Sequence, residues 1–166
     1  MPEQIGLHGD HGPARGSRFP SRNLAIVTCM DARIDVFGLL ALEQGDAHVI
    51  RNAGGVVTDD VIRSLSISQR ALGTRHVVVV HHTDCGMTSL TSEAFNRALE
   101  EETGVRPAWS AEAFLDPVEE TRQSIQRLAR SPFVTGTAEG MVWDVGAGEL
   151  LRVVPSQPIG QVASAG

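Results

Sequence analysis

Short, uninterrupted apolar runs recur along the chain and predict the strands of a sheet. Such runs occupy residues 24–28, 47–50 and 76–80, and the last contains four consecutive valines. Two further runs, residues 141–145 and 150–154, flank a glycine-containing turn and predict a hairpin. Because apolar runs without alternation suit strands that are buried on both faces, the first three predict a mainly parallel sheet.

Segments with helical end signals separate these runs. Thr58, followed by two acidic residues, predicts the start of a helix that ends at Gly73. A second helix is predicted over residues 93–103, and a third over residues 117–129, with Pro117 in its first turn. This order of elements predicts the α/β class, with a three-layer α/β/α arrangement around a mainly parallel central sheet and an added edge strand.

The chain divides into one folded domain and two irregular ends. Residues 1–23 are rich in glycine and proline and predict an irregular N-terminal arm. Residues 24–154 form the single predicted α/β domain, and residues 155–166 are expected to form a loose C-terminal tail. A length of 166 residues suits one domain of this kind.

Composition and charge exclude several classes of protein. All 14 basic residues are arginine, so chemistry that needs a lysine, such as Schiff-base formation, is excluded. The formal net charge of −6 and the scattered arginines argue against nucleic-acid binding. No apolar run is long enough to span a membrane, and none resembles a signal peptide, so a cytoplasmic location is expected.

Polar residues that can do chemistry follow the first three predicted strands directly. They lie in residues 29–33, 51–55 and 81–86. Because the carboxyl ends of parallel strands share one edge of a sheet, these segments are expected to meet there. The chemically notable side chains among them are Cys29, Asp31, Arg33, His81, His82 and Cys85.

Cys29, His82 and Cys85 are candidate metal ligands. Two thiolates and one imidazole suit Zn²⁺, and three protein ligands leave a fourth position open, as in catalytic zinc sites. Because two thiolates offset much of the metal charge, activity would favour alkaline pH. Three alternatives stay open: His81 instead of His82 as the ligand, a Cys29–Cys85 disulfide, or two thiols that merely fill the core.

Asp31 and Arg33 lie two and four residues after Cys29, so a metal at Cys29 would bring them close to it. Arg33 can hold a carboxylate through two hydrogen bonds, and Asp31 held in this way could accept the proton of a zinc-bound water. Alternatively, Asp31 could itself occupy the fourth zinc position, or the two residues could form a surface pair that caps the next helix.

Three motifs together resemble the β-class carbonic anhydrases, and especially the short actinobacterial forms. They are CMDAR at residues 29–33, IRNAGG at residues 50–55 and HTDCG at residues 82–86. The resemblance extends from about residue 24 to about residue 154. It departs from the family at Ala32, where serine is frequent, at His81, where glycine is usual, and in the absence of tyrosine.

The resemblance implies an enzyme that reversibly hydrates carbon dioxide to bicarbonate and a proton, and that forms a homodimer or homotetramer. It implies one Zn²⁺ per chain, held by Cys29, His82 and Cys85. It also implies that Asp31 and Arg33 form a dyad that orients a zinc-bound hydroxide for attack on the substrate.

Carbon dioxide is small and apolar, so its pocket is expected to be apolar rather than charged. The candidate lining residues are Gly54, Gly55, Val56, Val57, Gly86 and Met87. His48, His76 or His81 could carry the released proton to buffer. Three rival interpretations are hydrolysis of carbon disulfide or carbonyl sulfide at the same site, a zinc-binding module without catalysis, and a dimeric scaffold without metal.

Overall fold

The structure is a computed structural model that describes residues 16–160. Its five strands form one sheet in the order β2-β1-β3-β4-β5. The first four are parallel, and β5 is antiparallel to β4 at the edge. The mainly parallel sheet with an added edge strand is therefore confirmed. The strands are β1 (Leu24–Cys29), β2 (Ala47–Asn52), β3 (His76–His82), β4 (Thr137–Asp144) and β5 (Glu149–Pro158).

Three helices lie where the end signals predict them, and a fourth is additional. The helices are α1 (Val36–Leu40), α2 (Asp59–Leu72), α3 (Ser92–Thr103) and α4 (Pro117–Arg130). The side chain of Thr58 accepts a hydrogen bond from the Val61 amide at the start of α2, and Gly73 ends that helix in the left-handed conformation. The five-residue α1 is too short to show helical periodicity, so the sequence predicts only a helix or a turn between the first two strands.

Each face of the sheet carries its own apolar cluster. On one face, β-strand valines pack with Leu65 of α2 and with Ile125 and Leu128 of α4. On the other face, Ile26 and its neighbours pack with Val36 of α1 and with the residues that follow β3. The sheet is thus the middle of three layers, as predicted. No helix within residues 16–160 is long and apolar enough to cross a membrane.

The C-terminal boundary of the predicted domain is wrong. The loose tail is expected from residue 155, but β5 continues to Pro158 and pairs with β4 as far as Thr137. Proline is tolerated there because β5 is an edge strand, and Ile159 then packs into the core. Residues 16–23 of the predicted arm contain only turns and bends. The remainder of the arm and of the tail lies outside the described residues.

Candidate active site

The alternation of side chains along β3 separates the two adjacent histidines. Successive residues of a strand point to opposite faces of the sheet. His81 points towards α4, where its Nδ1 is 3.0 Å from Thr121 Oγ1, and its ring packs edge-on against Phe114. His82 points the other way, towards the two cysteines. The alternative in which His81 joins the cysteines is therefore wrong.

Cys29, His82 and Cys85 form a compact group at the carboxyl edge of the sheet. Their ligand atoms all lie within 4.8 Å of one another, and all three residues are buried. The two sulfur atoms are 4.0 Å apart and both cysteines are free. Tetrahedral zinc with Zn–S bonds of about 2.3 Å places two sulfurs about 3.8 Å apart. The spacing therefore fits a shared metal ion.

The His82 ring presents a free lone pair to this group. Its Nδ1 is 2.8 Å from the Thr83 carbonyl oxygen, which can only accept, so Nδ1 is the protonated nitrogen. Its Nε2 is buried and has no hydrogen-bond partner. Metal-binding histidines commonly use one nitrogen for the metal and donate from the other. The orphaned Nε2 therefore fits a metal ligand.

The contact between the two sulfurs couples the titration of the two thiols. It lowers the pKa of Cys29 and raises the pKa of Cys85, while burial raises the pKa of both thiols. A bound cation would favour the deprotonated form of both cysteines, because it stabilises the negative charge on each sulfur.

Arg33 holds the Asp31 carboxylate beside the metal group. Asp31 Oδ1 accepts from the Arg33 backbone amide at 2.9 Å and from Nε at 3.0 Å, and Oδ2 accepts from Nη2 at 2.8 Å. These contacts keep the pKa of Asp31 well below its usual range. Asp31 Oδ2 also lies 3.8 Å from His82 Nε2. The predicted dyad is thus adjacent to the predicted ligands.

Arg51 anchors the segment that carries Cys29, Asp31 and Arg33. Its guanidinium donates to three backbone carbonyl oxygens of that segment, those of Cys29 at 2.8 Å, Asp31 at 2.7 Å and Ile34 at 3.3 Å. The sequence places Arg51 at this edge of the sheet but does not predict this anchoring role. The available signal is its position near the carboxyl end of β2, at the same edge of the sheet as the cysteines.

The glycine pair after β2 allows a close backbone contact. A Cβ atom on Gly55 would lie 2.7 Å from the Cys29 nitrogen, and its φ is +70°. A Cβ on Gly54, with φ of +83°, would lie 2.9 Å from Phe114 Cε1 and 3.0 Å from Met87 Cγ. Both positions therefore require glycine for packing.

A groove of about 640 Å³ lies beside the segments that follow Cys29 and Cys85, since Met30 and Met87 belong to its wall. The wall also includes Asn52, Ala53 and Trp109 and is mostly apolar. Of the residues predicted to line a pocket, Met87 thus lies in this wall. Gly54, Gly55, Val56 and Val57 are buried and are not part of it, and Gly86 is exposed.

The histidines considered for proton transfer are poorly placed for that role. His48 and His76 stand near the amino ends of β2 and β3, four and six residues before Asn52 and His82, so roughly 13–20 Å separates them from the metal group. His48 contacts Ser68, and His76 contacts Glu139. His81 is fully buried, and burial lowers its pKa to about 4.

Comparison with known proteins places the chain in a family. The family model described as carbonic anhydrase matches residues 24–145. The chain is 56% identical over 138 residues to beta-carbonic anhydrase 1 of Mycobacterium tuberculosis, covering 82% of this chain and 85% of that protein. The chain belongs to the β-carbonic anhydrase family. Members of this family are zinc enzymes, which agrees with the donor set of Cys29, His82 and Cys85.

Two further similarities are to a solved carbonic anhydrase structure and to a carbon disulfide hydrolase. The crystal structure of the Streptococcus mutans carbonic anhydrase superposes with a TM-score of 0.78 and 42% identity, covering 86% of this chain and 88% of that one. A carbon disulfide hydrolase of Acidianus is 43% identical over 98 residues, which are 59% of this chain and 46% of that protein. The expected fold and family are thus confirmed. The chain is similar both to carbonic anhydrases and to a carbon disulfide hydrolase.

Proposed function

We propose that this protein is a carbonic anhydrase that reversibly hydrates carbon dioxide to bicarbonate and a proton. The observation that carries the proposal is the placement of a buried Cys-His-Cys group directly beside the Asp31–Arg33 dyad. This arrangement stands in a chain that is 56% identical to a beta-carbonic anhydrase over most of its length.

Cys29, His82 and Cys85 would hold one zinc ion. Their thiol and imidazole donors match the preference of zinc, and three protein ligands leave one tetrahedral position for a non-protein ligand. When bound, zinc acts as a Lewis acid that lowers the pKa of a water molecule and so supplies the nucleophile near neutral to alkaline pH.

Asp31 would orient that nucleophile. The carboxylate is ionised because Arg33 lowers its pKa, so it can only accept hydrogen bonds. By accepting a hydrogen bond from the nucleophile, Asp31 would direct an oxygen lone pair of the nucleophile towards the substrate. Arg33 is occupied by this carboxylate and by a neighbouring loop, so its role is to hold Asp31 rather than to bind substrate.

The same contacts argue against a zinc site closed by Asp31. The carboxylate accepts three hydrogen bonds from Arg33, and a move onto the metal would break some of them. A non-catalytic zinc module requires that closed arrangement, so the geometry favours an open and therefore catalytic site.

The substrate would bind against apolar groups beside this open position. Carbon dioxide carries no charge, so it needs no cationic clamp. The proposed lining consists of Gly54, Gly55, Val56, Gly86 and Met87, of which Met87 faces the bordering groove.

Hydrolysis of carbon disulfide or carbonyl sulfide is the second candidate function. These molecules are linear and triatomic like carbon dioxide, so the same nucleophile could attack their carbon. The similarity to the carbon disulfide hydrolase of Acidianus, with 43% identity over 98 residues, favours testing this activity.

Stopped-flow hydration of carbon dioxide from about pH 7 to 9, on protein of verified zinc content, tests the proposal. We expect turnover that rises with pH and no sulfide release from carbon disulfide or carbonyl sulfide. Sulfide release without hydration would transfer the assignment to the second candidate. Inactivity towards all three gases, with one zinc per chain, would indicate a non-catalytic module.

Assembly and location stay predictions. A homodimer or homotetramer is expected from the family resemblance, and light scattering of the purified protein would distinguish them. A cytoplasmic location is expected from the composition, and the two free cysteines suit a reducing compartment.

A further inference from the structure

A second carboxylate, that of Asp84, also contacts Arg33. Arg33 Nη1 donates to Asp84 Oδ2 at 2.7 Å, and Nη2 donates to the Asp84 carbonyl oxygen at 2.8 Å. With the two side-chain bonds to Asp31, four of the five N–H donors of the guanidinium are engaged. Asp84 therefore accepts hydrogen bonds from guanidinium N–H groups of Arg33 that do not bind Asp31.

Asp84 belongs to the segment that carries the second cysteine. It stands directly before Cys85 and has a left-handed backbone with φ of +53°, which is uncommon for residues other than glycine. In this conformation both its carbonyl oxygen and its carboxylate reach Arg33. Arg33 thus joins the segment after β1 to the segment after β3. Cys29 ends β1, His82 ends β3 and Cys85 lies in the segment after β3, so this contact stands beside all three metal-ligand candidates.

We propose that Asp84 is a positioning residue for the carbonic anhydrase reaction, holding Arg33 in place so that Arg33 keeps Asp31 beside the open metal position. The proposal rests on the function proposed above for Asp31. An arginine bound only to Asp31 could follow that carboxylate if it moved onto the metal. When Arg33 is also bound to Asp84, it cannot follow Asp31. Asp31 would then have to break its hydrogen bonds to Arg33 in order to reach the metal, which opposes the movement.

The pair is too exposed to matter much for stability. The side chains of Asp84 and Arg33 are 81% and 43% exposed, and ion pairs this exposed contribute little to stability because water screens them. A substitution at Asp84 should therefore leave the fold and the metal content intact. Its effect should instead be seen in the rate of the reaction.

Two variants of Asp84 separate the effect of its negative charge from the effect of its side-chain hydrogen bond to Arg33. Asparagine and glycine both tolerate the left-handed backbone, so D84N keeps one acceptor oxygen without the charge, and D84G removes the side chain but keeps the carbonyl. We expect kcat/KM for carbon dioxide hydration to fall about threefold in D84N and about tenfold in D84G, at unchanged zinc content and Tm.

D59N is the matched control. Asp59 forms an equally short 2.7 Å exposed pair with Arg127 on another part of the surface, so it reproduces the loss of charge without touching the site. Wild-type kcat/KM is expected for D59N. Values for D84N and D84G within twofold of wild type would overturn the proposal, as would loss of zinc from D84G, which would assign Asp84 to holding the ligand segment.

A double-mutant cycle tests whether Asp84 acts through Arg33. In an R33A background, D84G should change kcat/KM by less than about twofold, because the contact is already absent. An unchanged tenfold effect in that background would show that Asp84 acts without Arg33 and would contradict the proposal.

Azide binding to the cobalt(II)-substituted protein gives a readout that does not depend on the substrate. If Asp31 competes for the open position once Arg33 is released, azide should bind D84G several-fold more weakly than wild type. A purely electrostatic role predicts the opposite, since removing a negative charge strengthens anion binding. Should wild type fail to hydrate carbon dioxide, the function proposed above would fail, while the azide titration would still decide the role of Asp84.

Discussion

The adjacent histidines of β3 have different surroundings. His81 lies among apolar groups with one hydrogen-bond partner, Thr121, whereas His82 meets two sulfurs. Strand alternation places the two rings on opposite faces of the sheet, and the positions of Cys29 and Cys85 decide which face holds the metal group. From the sequence, spacing and the family resemblance favour His82 and leave His81 as an alternative, and the fold brings His82 to the cysteines.

Replacement of Asp31 by asparagine tests whether the reaction needs the Asp31 carboxylate, because it exchanges one carboxylate oxygen for an NH2 group. The amide keeps the shape of the side chain, but it loses the charge and one of the two acceptor oxygens that Arg33 holds. We expect kcat/KM for carbon dioxide hydration to fall about a hundredfold or more, measured by stopped flow.

Zinc content should remain at one per chain in D31N, because Asp31 is not one of the three proposed ligands. The D59N variant again controls for loss of an exposed aspartate charge. Full activity of D31N would remove Asp31 from the mechanism, and loss of zinc would show that it is a ligand.

At the scale of elements, the positions of strands and helices are predictable from the sequence. The contacts that determine the conformation of the connections between them are not. The turn after β2 is evident from its two glycines, but the need for them is not. Gly55 lies against the backbone of Cys29, in the neighbouring strand, and this contact depends on the parallel pairing of β1 and β2. Likewise, β5 extends beyond its apolar run because β4 offers it a partner.

Substitution of Gly55 by alanine is expected to disturb the end of β1. The new Cβ would lie 2.7 Å from the Cys29 nitrogen, so one of the two backbones must move. Urea denaturation should show a free energy of unfolding lower by about 3 kcal/mol or more, and zinc affinity should fall because Cys29 shifts.

Gly148 provides the control for backbone strain alone. It has the same φ of +70°, but a Cβ there meets nothing within 4 Å. G148A should cost about 1 kcal/mol and leave zinc affinity unchanged. Equal effects of the two substitutions would mean that left-handed strain, and not the approach to Cys29, explains why glycine is needed at residue 55.

For the whole molecule, one of the two apolar clusters is separate from the metal group, whereas the cluster on the other face of the sheet includes Cys29 and Cys85. The cluster against α2 and α4 consists of apolar side chains, and the metal group lies at the carboxyl edge of the strands. The core was predictable because buried strands are continuous apolar runs. The contacts of Arg51 and Asp84 were not, since they join segments far apart in the sequence. Arg51 binds only backbone carbonyls of the other segment, and part of the Asp84 contact is made by its carbonyl, so residue type gives little sign of either.

This separation predicts that removal of zinc lowers stability without unfolding the protein. The ion would link the end of β1 to the segment after β3, while the apolar clusters remain in its absence. After dialysis against a chelator under reducing conditions, far-UV circular dichroism at 25 °C should be unchanged. Tm should fall by about 10 °C, which corresponds to about 4 kcal/mol of lost binding free energy, and zinc should restore it.

The C29S variant distinguishes the metal group from adventitious zinc. It removes one sulfur at nearly constant volume, so its Tm should be close to that of the chelated wild type and should not respond to added zinc. If chelation abolished the circular dichroism signal, the sheet itself would depend on the metal. If zinc raised the Tm of C29S as much as that of wild type, the ion would bind elsewhere, and Cys29 could not be the residue that ties β1 to it.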